Sequence, residues 1–120
     1  MEKSLKGMVV VIRFPFSDLT GSKKRPALVV ADWGRNDVIL AQVTSVAHKD
    51  VYAVSLNDGD FEHGNLQKES FIRPNKLFTA DKASFIQTIG HINPAKVQKV
   101  SDTITILLQI NNTENGFQSK

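Results

Sequence analysis

Phe14-Pro15-Phe16-Ser17-Asp18-Leu19-Thr20-Gly21-Ser22-Lys23-Lys24-Arg25-Pro26-Ala27-Leu28-Val29-Val30 joins two short apolar runs, and its reading sets the fold. Met8-Val9-Val10-Val11-Ile12 precedes it, and Ala27-Leu28-Val29-Val30 closes it. Both runs are rich in β-branched residues and bounded by Gly or Pro, which predicts two strands. Ser17-Asp18 and Thr20-Gly21-Ser22 carry turn chemistry between them. Pro26 fixes its own φ and biases Arg25 toward an extended conformation, so Arg25 is presented at the mouth of a strand. A rigidly held guanidinium beside Lys23 and Lys24 suits a phosphate. The competing reading is a solvated basic loop.

At 120 residues the chain is long enough for one domain with a real core. A hydrophobic content of 41% and a charged content of 22% are those of an ordinary globular protein. The chain has no cysteine, which excludes a disulfide framework, a thiolate nucleophile and a Cys-ligated zinc. The three histidines, His48, His63 and His91, stand far apart in the chain and form no HxxxH or HxH pair; a metal site would need help from carboxylates, and none is expected. The net charge of +3 is compatible with an anionic partner. The apolar run after Lys3 and Lys6 is cut by Arg13 and lacks a cleavage site, so it is a poor signal peptide. No apolar stretch reaches the ~20 residues that span a bilayer. The expected compartment is the cytoplasm.

Residues 1–7 read as a loose lead-in, with Gly7 turning into a strand over Met8–Phe14. Further strands are predicted over Pro26–Ala31, Val38–Val46, Tyr52–Leu56 and Ser70–Arg73, with another over Phe85–Ile92; Phe61–Lys68 reads as a loop or irregular edge. Alternation along the third strand puts Val38, Leu40, Gln42, Thr44 and Val46 on one face. Asn93-Pro94 is the clearest helix start, an N-cap residue followed by Pro at the first helical position. Val97, Val100, Ile104, Leu107 and Leu108 then recur at helical spacing. Residues 1–110 are expected to form a single domain and 111–120 a polar, flexible tail. Strands first and a helix last predict a mainly β, α+β fold: a small curved sheet or barrel covered by a C-terminal helix.

The Gly7-started strand, Phe14-Pro15-Phe16-Ser17-Asp18-Leu19, Lys24-Arg25-Pro26-Ala27-Leu28-Val29-Val30, Ala41-Gln42-Val43-Thr44-Ser45, Ser70-Phe71-Ile72-Arg73-Pro74-Asn75-Lys76-Leu77 and the helix after Asn93-Pro94 occur in one order. As an ordered set, from Gly7 to Ile110, they resemble the MazF/PemK (Kid) toxins of type II toxin–antitoxin systems. The resemblance implies an SH3-like small barrel of antiparallel strands with a C-terminal helix, assembled as a homodimer. It implies a metal-independent endoribonuclease without cofactor. Such an enzyme cuts single-stranded RNA at short sequences and leaves a 2′,3′-cyclic phosphate and a 5′-hydroxyl. The implied partner is an antitoxin whose disordered acidic segment enters the RNA groove.

By the same resemblance the catalytic arginine falls on Arg25, the catalytic threonine on Thr44, and the strand-end arginine of the Kid branch on Arg73. A guanidinium there stabilises the charge that builds on a pentavalent phosphorane. Lys23 and Lys24 are expected to position phosphates. Phe14, Phe16 and Trp33 are candidates to stack bases, and Ser45 and Asn75 complete the expected RNA contacts. Two positions depart from the family pattern. Met8 stands where an acidic residue often follows the first Gly, and Asn75 where the Kid branch has an aspartate. For Arg73 a structural ion pair to Asp81 or Glu69 competes with RNA contact. His48 and His63 are the weaker acid–base candidates, because both fall in expected loops.

Two other functions compete. A gyrase poison of the CcdB type would need a C-terminal Trp-Gly-Ile, whereas this chain ends Phe117-Gln118-Ser119-Lys120 and its one Trp is Trp33. A non-catalytic RNA- or antitoxin-binding module is the other.

Overall fold

Gly7 turns the chain into the sheet with φ +97°, a conformation that side chains rarely adopt, and a Cβ there would lie 2.8 Å from the His91 ring. The computed structural model describes residues 3–14, 23–46 and 50–111. Within them the strands are β1 (Met8–Phe14), β2 (Lys23–Asp32), β3 (Asp37–Thr44), β4 (Val54–Leu56), β5 (Phe61–Gly64), β6 (Ser70–Asp81) and β7 (Gln87–Ile92). They form one antiparallel sheet in the order β4-β6-β3-β2-β1-β7-β5, curled into a half-barrel. One C-terminal helix, α1 (Pro94–Gln109), covers one face.

The sheet buries apolar residues on both faces, which is why β1 reads apolar on both faces near its start. Val9, Leu28, Ala41, Val43 and Ile72 face α1, whose Val100 is 1% exposed. Val10, Ile12, Phe14, Ala27, Val29, Val38 and Leu40 make a second core on the other face. Asn93 caps α1 by accepting from the Lys96 N–H at 2.8 Å, as its sequence predicts. Leu108 departs from the expected helical stripe. It is 79% exposed, because it lies one residue past the Leu107 position of a 3.6-residue period.

Three expectations are corrected. β2 begins at Lys23, not Pro26: the extension that Pro26 imposes on Arg25 continues backward, and Phe14↔Lys23 and Ile12↔Arg25 pair across the ladder. The strand at Ser70 does not stop at Arg73 but runs on to Asp81, past an irregularity at Pro74. Of the two readings for Phe61–Lys68, loop or irregular edge, the structure takes the second over Phe61–Gly64, an edge strand paired with β7 with a register shift, so the correction there is only to its length.

The lead-in is tied down rather than loose over its described residues. Leu5 N–H donates to Asp32 at 2.7 Å, and Gly7 N–H to the Val29 carbonyl at 2.9 Å. The Asp32 carboxylate also accepts from Gly34 N–H at 3.0 Å and from Lys82 at 3.1 Å. The Leu5 and Gly34 amides, joined by Lys82, outweigh burial and hold this carboxyl below its ordinary value. A lowered folded-state pKa contributes stability above the ordinary carboxylate range, and that contribution is lost as pH falls through the folded value. Asp32→Asn should therefore lower the denaturation midpoint at pH 7, and the gap from wild type should be narrower at about pH 3, below the unfolded carboxylate pKa of about 3.9. Paired urea titrations at the two pH values check this; a gap independent of pH contradicts it.

Candidate functional site

On the face away from α1, β2 and β3 run from apolar to polar toward the same end of the sheet, beside an apolar β1. β1 presents Val10, Ile12 and Phe14; β2 presents Val29, Ala27 and then Arg25; β3 presents Val38, Leu40 and then Gln42 and Thr44. Ala27 pairs with Gln42, so Arg25 and Thr44 each lie two residues beyond that pair toward the same end of the sheet. There the face opens into a cleft of about 670 Å³ lined by Phe14, Arg25, Gln42, Thr44 and Val46.

β6 supplies the opposite wall. Ala41 pairs with Leu77 but Gln42 with Arg73, so Pro74, Asn75 and Lys76 are extra residues without partners on β3. A buried Pro, which has no N–H to donate, suits such an irregularity. It brings Arg73, Lys76, Leu77 and Phe78 to one cleft. The Phe14 and Phe78 rings meet edge to face, with centroids 4.8 Å apart and planes at 61°.

The cleft is cationic. Arg25, Arg73 and Lys76 line it, and among the described residues no carboxylate does. Arg25 is half-buried, and its guanidinium has no ion pair among the described residues. Thr44 is 9% exposed, and its Oγ1 accepts from the Val46 N–H at 3.1 Å. That bond occupies the oxygen as acceptor and leaves the hydroxyl proton to donate. Arg73 Nε donates to Asp50 at 3.2 Å, so the expected ion pair to Asp81 or Glu69 is replaced by one to Asp50. Sequence alone had no signal for that partner, because a contact between residues 23 apart in the chain leaves no periodicity. Burial pushes the Asp50 carboxyl up, but the Tyr52 amide, Arg73 and the nearby Asn75 side chain outweigh it and hold the group below its ordinary value.

Of the residues singled out from sequence, Arg25, Thr44 and Arg73 come together in the cleft. Lys23, Lys24 and Ser45 are exposed and do not line it. Asn75 is exposed on the irregular turn of β6, beside Asp50. Phe16 and His48 lie outside the described residues. Trp33 is 53% exposed and lines a separate small cleft at the β2–β3 turn with Gly34, Arg35, Asn36 and Asp37. His63 sits on β5, its ring 5.8 Å from that of His91, away from the cleft lining. Among the described residues no cluster of His, Cys, Asp or Glu could hold a metal ion.

Gln42, Val46, Lys76, Leu77 and Phe78 line the cleft but were not among the expected site residues. Alternation through Thr44 signalled Gln42 and Val46. Phe78 was hidden, because straight alternation from Arg73 sends it to the other face.

Comparison with known proteins completes the picture. The family model of PemK-like, MazF-like toxins of type II toxin–antitoxin systems matches residues 5–108. A solved endoribonuclease in complex with its cognate antitoxin, from a Mycobacterial species, is 16% identical; the match covers 91% of this chain and 98% of that chain, with a TM-score of 0.70. The MazE–MazF structure from Deinococcus radiodurans is 19% identical over 88% of this chain and 96% of that chain, with a TM-score of 0.69. The Mycobacterium tuberculosis toxin MazF-mt6 is 15% identical over 87% and 98%, with a TM-score of 0.67. Identities this low carry the fold alone. Comparison with curated proteins gives no match. With most of its length matched by the family model and its curled sheet and terminal helix shared with MazF structures, the chain belongs to the PemK-like, MazF-like toxins of type II toxin–antitoxin systems.

Proposed function

We propose that the protein is a metal-independent endoribonuclease toxin that cleaves single-stranded RNA, and that the cleft between β2, β3 and β6 is its active site. The observation that carries the reading is the convergence of Arg25, Thr44 and Arg73 on one cationic cleft in which Arg25 has no ion pair among the described residues. A half-buried guanidinium without a carboxylate is a group built for an anion that arrives from outside.

In this reading the RNA 2′-oxygen attacks the adjacent phosphorus while the bond from phosphorus to the 5′-oxygen breaks. The 2′-hydroxyl loses its proton and the departing 5′-oxygen gains one, which leaves a 2′,3′-cyclic phosphate and a 5′-hydroxyl. Negative charge builds on the non-bridging oxygens of the phosphorane. Arg25 donates two parallel N–H groups to them, and Thr44 donates its O–H. Guanidinium groups stay protonated in proteins, so Arg25 acts as an electrostatic stabiliser and not as the base. Arg73 and Lys76 hold the flanking phosphates. Phe14, Leu77 and Phe78 give an apolar wall for an unstacked base. Lys23, Lys24, Ser45, Asn75 and Phe16 serve as outer RNA contacts.

The same cationic cleft suits the acidic segment of an antitoxin, which would then inhibit by occupancy. The domain over 1–110, taken as an SH3-like barrel, acts as a homodimer in the cytoplasm. No helix among the described residues is long and apolar enough to cross a membrane.

Purified protein incubated with long mixed-sequence single-stranded RNA in EDTA, followed by end mapping, tests the reading. Discrete cuts ending in cyclic phosphate are expected. Intact RNA with folded, antitoxin-free protein would favour a non-catalytic binding module instead. Thr44→Val should lower kcat about ten- to a hundredfold, the value of one hydrogen bond to a charged group. Single-turnover kinetics on a mapped site check it, and an unchanged rate removes Thr44 from the site.

A further inference from the structure

The structure puts a carboxylate beside Arg73 from the segment before β4. The Asp50 side chain is 6% exposed. Its Oδ1 accepts from the Tyr52 N–H at 3.0 Å and its Oδ2 from Arg73 Nε at 3.2 Å. The Arg73 side chain is 17% exposed and lines the cleft with Arg25 and Thr44. Among the described residues the two terminal nitrogens of Arg73 have no protein partner.

We propose that Asp50 is a positioning residue that clamps Arg73 through Nε, so that the two terminal nitrogens form a fixed fork for an RNA phosphate in the cleft. The inference rests on the nuclease reading above. A guanidinium has one Nε–H and two terminal N–H₂ groups in a single plane. A carboxylate on Nε fixes that plane and leaves both terminal groups for an anion. Without the clamp the arginine samples many rotamers, and ordering it costs free energy at each binding event. Asp50 is a poor base, because both carboxylate oxygens are engaged and its carboxyl is held below the ordinary range. Its part is to shape the phosphate grip.

A double-mutant cycle on RNA cleavage in EDTA, with Asp50→Asn, Arg73→Ala and the pair, tests the clamp. Asp50→Asn alone should lower kcat/KM about tenfold, as the loss of an orienting partner does. In the Arg73→Ala background it should cost nothing further. The Arg73 Nε–H resonance gives a second readout that catalysis does not influence. It should be sharp and slow to exchange in wild type and broadened in Asp50→Asn. If Asp50→Asn folds poorly, Asp50→Ser, which keeps an acceptor near the Tyr52 amide, takes its place. Losses that add independently, or an Nε–H signal unchanged by the substitution, overturn the proposal. If the wild-type protein cuts no RNA, the nuclease reading falls, and the clamp is decided by the Nε–H signal alone.

Discussion

Arg25→Ala should lower kcat about a hundred- to a thousandfold, the loss seen when one preorganised donor to a developing oxyanion is removed. The expectation follows from where the charge sits. Arg25 faces a cleft shared with Arg73 and Lys76, and no described carboxylate neutralises it. A cation in that position interacts most strongly with whatever carries the most negative charge, and along the reaction that is the phosphorane and not the diester. The fold should be little affected, since Arg25 has no ion pair among the described residues to lose and the flanking ladder pair is apolar (Ala27 with Val10). A thermal midpoint close to wild type would separate a catalytic loss from unfolding. Arg25→Lys should recover only part of the rate, because an ammonium cannot reproduce the planar bidentate fork. Equal cleavage by Arg25→Ala and wild type would place the chemistry elsewhere.

Gly90→Val should destabilise the protein by about 3 kcal/mol, from crowding of about 1–3 kcal/mol and the lost hydrogen bonds of one strand edge at about 1 kcal/mol each. Gly90 on β7 pairs with Gly64 on the edge strand β5. A Cβ on Gly90 would meet the His63 carbonyl oxygen and come within 2.9 Å of both Gly64 Cα and Phe61 Cδ2. Two backbones approach that closely only where neither residue has a side chain. The branched side chain would pry β5 from β7 and lift Phe61 off the helix-side core that it packs against. β5 does not line the cleft, so the folded fraction should still cut RNA at the wild-type kcat. Urea denaturation together with single-turnover kinetics checks both halves; unchanged stability would show that the two strands separate at little cost.

The parts legible in the sequence are those governed by local chemistry. Asn93-Pro94 announces α1 because capping and N1 preferences act within one turn. Alternation along β3 puts Gln42, Thr44 and Val46 on one face because the strand period is two. Pro26 extends Arg25, and that extension runs further back than expected, to Lys23. What stayed illegible depends on pairings far apart in the chain. Asp50 and Arg73 are 23 residues apart and Leu5 and Asp32 are 27 apart. Neither pair leaves a periodic trace, and each could equally have found another partner. The irregularity at Pro74 mattered most for the site. Three extra residues on β6 change which side chains share a face, so Arg73 and Phe78 meet in a cleft that plain alternation would have kept apart. The edge strand β5 was half legible: Phe61-Glu62-His63-Gly64 has neither an apolar run nor clear alternation, so a loop and an irregular edge read alike, and the close approach of Gly64 to Gly90 on β7 leaves no local trace.

The most direct test of the reaction uses one short RNA, containing a cut site found by end mapping, in two forms: unmodified, and 2′-O-methylated at the nucleotide before the cut. Both are incubated with wild-type protein in EDTA. The unmodified strand should be cleaved to a cyclic phosphate and a 5′-hydroxyl. The methylated strand should stay intact while competing for the same cleft, because its 2′-oxygen cannot attack. Cleavage of both strands at equal rates would show that a different nucleophile acts, and would contradict the mechanism assigned to Arg25 and Thr44.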